Sequence, residues 1–328
     1  MRRPLSALAL VSVLSVTLSL SAAKKQYEYY AVGSQTDVTT TTTAGTVLMG
    51  GGSDVDAAFQ WMIGKSGGGD FVVIRTTGTD AYNPYIFGLG TVNSVETLII
   101  KSRAAASDPF VVAKIRNAEA VWIAGGDQST YISYWKGTPV ADAINYVANV
   151  KQAPVGGTSA GLAVLSQYVY TGAAGSVTSS QALANPYHSY VTLDRDFAQI
   201  ANLGGVLADS HFGARDRMGR LVTFLARIIK DGWASSVRGI GVDEATAILI
   251  NPNGSATRVG SGAAYFLSSN GVPQTCVSGT PLTYTGLATY KVSGAATFNL
   301  ATWTGTGGTA YTLSATSGAL SSSNGSIY

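Results

Sequence analysis

The sequence predicts an α/β protein built on a mainly parallel sheet and continued by a smaller β-rich C-terminal segment. Three observations carry that expectation. Short apolar runs alternate with helix-like segments from residue 46 to residue 242, the order that makes parallel sheets. From residue 245 onward there is no Asp or Glu, and only Arg258 and Lys291 carry charge, so the chain changes character there. With 328 residues and roughly 150 per domain, one large unit and one small one are the simplest division.

The elements follow in order. Arg2 and Arg3 precede an apolar stretch at 5–20, and the small residues Ser21, Ala22 and Ala23 come before Lys24 and Lys25. This reads as a secretory signal over residues 1–23, so the expected location is secreted or periplasmic. As an anchor helix the stretch is short for a span of ~20 apolar residues. Residues 24–45 end in a Thr-rich run without periodicity, a linker or an edge segment. Residues 46–49 form an apolar run that ends at Gly50, Gly51 and Gly52, and Asp54 is placed to cap a helix carrying Phe59, Trp61 and Met62. Strands are expected at 71–74, 95–100 and 120–124, with a helix at 109–117 that opens on Pro109. A helix over 140–150 leads into a run at 153–155, then glycines, then a helix from Ala160. Residues 205–208 and 239–242 supply later strands. In the last part, 247–250 and 256–259 flank the turn Asn251-Pro252-Asn253-Gly254, and 263–267 and 297–300 are strand-like. No fixed-period repeat is present, which argues against a propeller or solenoid. The expected division is a main α/β unit over 46–259 and a β-rich segment over 260–328.

Composition excludes several function classes. Hydrophobic residues make up 46% and charged residues 12%, with 39 glycines, a neutral surface that suits export. Net charge is +3, or +1 once Arg2 and Arg3 are removed, and no Lys/Arg run leaves a nucleic-acid or membrane footprint. A single cysteine, Cys276, allows no intrachain disulfide and no cysteine-built zinc site. Only His188 and His211 exist, so no His-rich metal centre is expected, and no Walker or GxGxxG pattern supports a nucleotide. Neither metal nor cofactor is expected.

Gly157-Thr158-Ser159-Ala160-Gly161 fits G-x-S-x-G between a short apolar run and a helix. Small flanking residues permit the strained strand-to-helix turn that presents a serine hydroxyl over the sheet edge, with the Ala160 amide at the helix start facing a developing oxyanion. A plain glycine-rich turn fits the same residues. His211 follows the 205–208 strand and stands at a carboxyl end, where open α/β sheets place their sites; His188 lies in a turn-rich segment. Glu244 ends another strand, with Asp243 and Asp209 as competitors for the acid that orients an imidazole. Asp243 and Glu244 point to opposite faces of a strand. Gly125-Gly126-Asp127-Gln128 lets backbone amides approach a substrate, with Gln128 as donor and acceptor, or else is a turn in which Asp127 caps a helix. Arg217 and Arg220 share a helix face just after His211, with Arg215 beside them. Cations near a helix start need an anion nearby, which points to an acidic substrate.

These motifs, in this order, resemble the S51 serine peptidase family, and within it the cyanophycinase branch in a secreted form. The resemblance rests on 125–128, 156–161, Asp209-Ser210-His211-Phe212 with Arg215, Arg217 and Arg220, and 239–244, and Tyr82-Asn83-Pro84-Tyr85 is similar to secreted members. It covers residues 46–259. It implies a three-layer α/β/α sandwich similar to class I glutamine amidotransferases, with Ser159 as nucleophile, His211 as base and Glu244 as orienting acid. It also implies oxyanion donors at the amides of Gly126 and Ala160, and a substrate pocket of Gln128, Asp209, Arg215, Arg217 and Arg220. The implied substrate is cyanophycin, a poly-aspartate with arginine side branches cut to β-Asp-Arg dipeptides. Alternatives are another S51 peptidase acting on Asp-containing peptides, or a non-catalytic binding protein on the same fold. No nucleic-acid partner is implied, and a homodimer is left open. Ser210, Gly213 and Ala214 depart from the residues usual in cyanobacterial members.

Overall fold

The computed structural model describes residues 26–328; the signal segment expected over 1–23 lies outside them. Strands and helices follow in chain order: β1 (Tyr27–Gly33), β2 (Gly45–Met49), α1 (Asp56–Ser66), β3 (Asp70–Arg75), α2 (Tyr82–Phe87), β4 (Ser94–Ile100), α3 (Pro109–Asn117), β5 (Ala120–Ile123), α4 (Gln128–Trp135), α5 (Pro139–Asn149), β6 (Pro154–Thr158) and α6 (Ala160–Leu165). Then come β7 (Tyr168–Tyr170), α7 (Ser179–Ala184), β8 (Leu193–Arg195), β9 (Val206–Asp209), α8 (Met218–Lys230), β10 (Arg238–Val242), β11 (Thr246–Ile250), β12 (Ser255–Gly260), β13 (Ala264–Ser268) and β14 (Tyr284–Val292). Four strands close the chain: β15 (Thr297–Asn299), β16 (Thr304–Thr306), β17 (Thr309–Thr316) and β18 (Ala319–Ser322).

Two sheets result. One has the order β1-β4-β3-β5-β6-β2-β11-β12-β15-β16, and its β4, β3, β5, β6 and β2 run parallel. The other runs β18-β17-β14-β13-β10-β9-β7-β8, with β7, β9 and β10 parallel. The central strands are buried on both faces, which is why they read as continuous apolar runs. Alternation then sorts their side chains. In β3, Phe71 and Val73 pack with Phe59 and Met62 of α1, whereas Val72 and Ile74 pack with Val111 and Ile115 of α3. Helices thus cover both faces of the parallel core, the α/β sandwich that the sequence predicts.

Several local expectations change. Asp54 does not cap α1: the cap position is Val55, without a side-chain bond, and Asp54 instead accepts from the Tyr82 hydroxyl at 3.0 Å. Asp127 does cap α4, accepting from the Ser129 amide at 2.9 Å. Within 24–45, residues 27–33 form the antiparallel edge strand on β4. Strands from 260–328 continue both sheets, β13, β14, β17 and β18 in one and β15 and β16 in the other. Phe266 and Phe298, from different sheets, stack at 3.9 Å.

Candidate active site

The site lies where β6, β9 and β10 end. Ser159 joins β6 to α6 with φ 54° and ψ −112°, a conformation that L residues adopt only under constraint. Two glycines make the turn sterically possible. A Cβ on Gly157 would sit 2.5 Å from the Gly161 carbonyl carbon, and one on Gly161 would sit 2.0 Å from the Ile123 oxygen. The Ser159 amide donates to Met49 O at 3.0 Å, which ties the elbow to β2.

His211 follows β9, also at a positive φ of 47°, and its amide donates to Gly50 O at 2.7 Å. The Ser159 hydroxyl donates to His211 Nε2 at 2.8 Å, and His211 Nδ1–H donates to Glu244 Oε1 at 2.5 Å. The glycines after β2 make room for this chain. A Cβ on Gly51 would stand 2.5 Å from the His211 ring, and one on Gly52 would stand 3.0 Å from Glu244 Cβ. Sequence reasoning took Gly50, Gly51 and Gly52 only as the end of a strand. Three glycines at a carboxyl strand end were the signal, since sites of this architecture gather there.

Asp243 faces away and accepts from the Gly213 and Ala263 amides at 2.8 and 2.9 Å. His188 accepts from the Tyr190 amide at 3.1 Å, in a turn of its own. Burial lowers the His211 pKa, the Glu244 hydrogen bond opposes this, and the charges of Arg215 and Arg217 lower it further, so the net shift is down. The His211 hydrogen bond in turn lowers the Glu244 pKa. A neutral imidazole held between a hydroxyl and a carboxylate can accept the hydroxyl proton.

Beside Ser159 lies a cavity of about 100 Å³ whose lining includes Gly126, Gln128, Ala160, Tyr170, Arg215 and Arg217. Gln128 Nε2 donates to Tyr170 O at 3.3 Å. A Cβ on Gly126 would lie 2.5 Å from the Tyr131 hydroxyl, so the backbone there comes close only as glycine.

The arginine trio divides. Arg220 is not a pocket residue: it is 2% exposed, and its Nε and terminal nitrogen clamp Asp209 at 2.7 and 2.6 Å. Asp209 is part of the cavity wall, but its carboxylate is engaged by Arg220, by the Ser210 amide at 2.9 Å and by Arg217 at 3.4 Å. Burial pushes the Asp209 pKa up, and the two guanidinium groups more than offset this, so the carboxyl stays below its usual range. The anion required beside the start of α8 is therefore the protein's own Asp209, and Arg220 is held by it and not by an acidic substrate. Arg217 also donates to Ser210 O at 2.9 Å, and burial brings its pKa down to about 10, so it stays charged. Arg215 is exposed, with Nε 3.7 Å from Glu244 Oε1. Among the described residues no group of three or more His, Cys, Asp or Glu could hold a metal ion.

No family model matches the chain. A cyanophycinase of Nostoc sp. (strain PCC 7120) is 31% identical over 170 residues, 52% of this chain and 51% of the relative. A cyanophycinase of Synechococcus elongatus is 26% identical over 184 residues, 56% of this chain and 52% of its own. The chain thus spans about half the length of the curated relatives it matches. A solved peptidase from an acI-B1 actinobacterium superposes with a TM-score of 0.50 at 20% identity, covering 69% of this chain and 91% of that one, a likeness of fold. By sequence this chain is similar over about half its length to cyanophycinases, and in fold it is similar to a solved peptidase.

Proposed function

We propose that the chain is a serine peptidase that hydrolyses cyanophycin outside the cytoplasm, releasing β-Asp-Arg dipeptides. The observation that carries this reading is the hydrogen-bonded run Ser159–His211–Glu244 at a strained elbow. Ser159 Oγ attacks the scissile carbonyl while His211 Nε2 takes its proton, and Glu244 holds the Nδ1–H tautomer and steadies the imidazolium that forms. Negative charge on the carbonyl oxygen is received by the amides of Gly126 and Ala160. His211 returns its proton to the leaving amine, and water, activated in the same way, hydrolyses the acyl-enzyme.

A substrate with both carboxylates and guanidinium groups suits the surroundings. Arg215 and Arg217 flank the small cavity. Three residues beyond Gly51, a cleft of about 420 Å³ begins, lined by Asp54, Asp56, Arg75, Tyr82 and Tyr85. Asp54 and Asp56 accept from the hydroxyls of Tyr82 and Tyr85 at 3.0 and 2.5 Å, which leaves each carboxylate an oxygen for a cation. The likeness to cyanophycinases supports the same substrate.

The test is incubation of the purified protein with insoluble cyanophycin, with soluble products weighed by mass spectrometry. β-Asp-Arg is the expected product, and Ser159→Ala should give none while keeping its circular dichroism. Release from Asp-containing α-peptides but not from cyanophycin would replace the substrate. Activity retained in Ser159→Ala would end the serine mechanism.

A further inference from the structure

The segment from His211 to the start of α8 carries three residues of the site around Ser159, namely His211, Arg215 and Arg217, and its backbone is strained near both ends. His211 has φ 47° and Asp216 has φ 46°. Such backbone persists only where its surroundings over-determine it. Part of the restraint is local: Arg215 N donates to His211 O at 3.1 Å and Arg217 N to Phe212 O at 3.0 Å. Ser179 Oγ adds a bond to Asp216 O.

The remaining restraint comes from more than a hundred residues downstream. The Tyr328 hydroxyl donates to Asp216 Oδ1 at 2.8 Å and accepts from the Met218 amide at 2.9 Å, so it closes the loop on one side and satisfies a free N–H of the first turn of α8 on the other. Its ring meets Phe212, the neighbour of His211, edge-on at 6.0 Å, and Tyr265 of β13 at 5.8 Å. The tail is fixed in turn by Tyr311 of β17, whose hydroxyl donates to Ile327 O at 3.0 Å. A chain of contacts therefore runs from the β-rich segment to the loop that follows His211.

We propose that Tyr328 is a positioning residue for the Ser159–His211 pair: its hydroxyl clamps the loop at Asp216 and Met218 and so holds His211, Arg215 and Arg217 in register with Ser159. This rests on the serine-peptidase reading above only for Ser159 as nucleophile. Covalent labelling of Ser159 by a fluorophosphonate reads that pair without any peptide substrate: Oγ displaces fluoride at phosphorus while His211 takes the hydroxyl proton.

Tyr328→Phe keeps both ring contacts and removes the hydroxyl. Its labelling rate should fall about 10- to 100-fold, the range in which small misplacements of reacting groups cost rate. Its melting temperature should move by only about 2–4 °C. Asp216→Gly, which suits the positive φ, should lose a similar factor, Asp216→Asn should stay within about threefold because its amide oxygen still accepts, and the Tyr328→Phe/Asp216→Gly double variant should lose little more than either single. A merely structural role would lower the melting temperature and leave labelling at 25 °C unchanged. Labelling of Tyr328→Phe at the wild-type rate, or losses that multiply in the double variant, would overturn the proposal. Wild-type protein that labels as described but leaves cyanophycin intact would end the substrate assignment and leave Tyr328 in its role; wild-type protein that does not label at Ser159 would end both.

Discussion

At His211 two influences oppose each other, and their balance sets a pH profile. Burial and the cationic neighbours Arg215 and Arg217 favour the neutral ring, and the Glu244 carboxylate favours the charged one. The net shift is downward, so the base is available to a lower pH than an ordinary histidine with a value of about 6.5. The linkage sign follows: below about 6.5 the unfolded chain binds this proton more readily than the folded one, so stability rises with pH through that window and is lost on acidification. The acid limb of kcat/KM should have its midpoint below about 6.5, and Arg215→Gln should raise that midpoint by removing one cationic neighbour. A pH profile of both proteins checks this; a wild-type limb well above 6.5, or a downward shift in Arg215→Gln, would contradict it. Of the site, Ser159, His211 and Glu244 were legible because small residues around a serine and polar residues at strand ends are local patterns. Tyr328 was not, because nothing in a tail of Ser, Asn and Gly says which loop it meets.

At the scale of elements, the same limit explains the arginines. Spacing showed that Arg217 and Arg220 could share a face, but not what lay opposite, and the start of α8 packs on the end of β9 so that both converge on Asp209. A buried carboxylate needs a counter-charge, so the two arginines have separable consequences. Arg220→Ala should destabilise the fold by about 3–5 kcal/mol, since it strands Asp209 without its clamp. Arg217→Ala keeps that clamp; it should cost much less stability and lower kcat/KM on a carboxylate-bearing substrate by about 10- to 150-fold. Denaturant midpoints and kinetics measured together separate the two, and equal stability losses would refute the division. The strands and longer helices of the parallel core were readable from apolar runs buried on both faces. The short α2 and α7, and the Thr- and Ser-rich strands β16 and β18, were not, because half-exposed edges carry too few apolar residues to show a period.

For the whole molecule, the loss of acidic residues after Glu244 marks a change of composition, and the structure gives it no matching change of core. Ala264, Phe266, Val292, Phe298 and Leu300 share a cluster with Val206 and Ile240, and Tyr265, Leu267, Tyr284, Leu287 and Leu313 share another with Leu221 and Leu225 of α8. A chain ending at residue 259 would bare the edge of β10 and one whole side of both clusters. Each large apolar side chain re-exposed costs about 1.5–3 kcal/mol. Six such groups come to about 9–18 kcal/mol, comparable to the whole of the roughly 5–15 kcal/mol by which domains are stable. A 26–259 fragment should therefore show no cooperative thermal transition and should aggregate, whereas 26–328 melts in one step. Two independent transitions in 26–328, with the fragment reproducing one of them, would mean that the β-rich segment is a separate unit, and that the path from β17 through Tyr328 to His211 joins two bodies and not one.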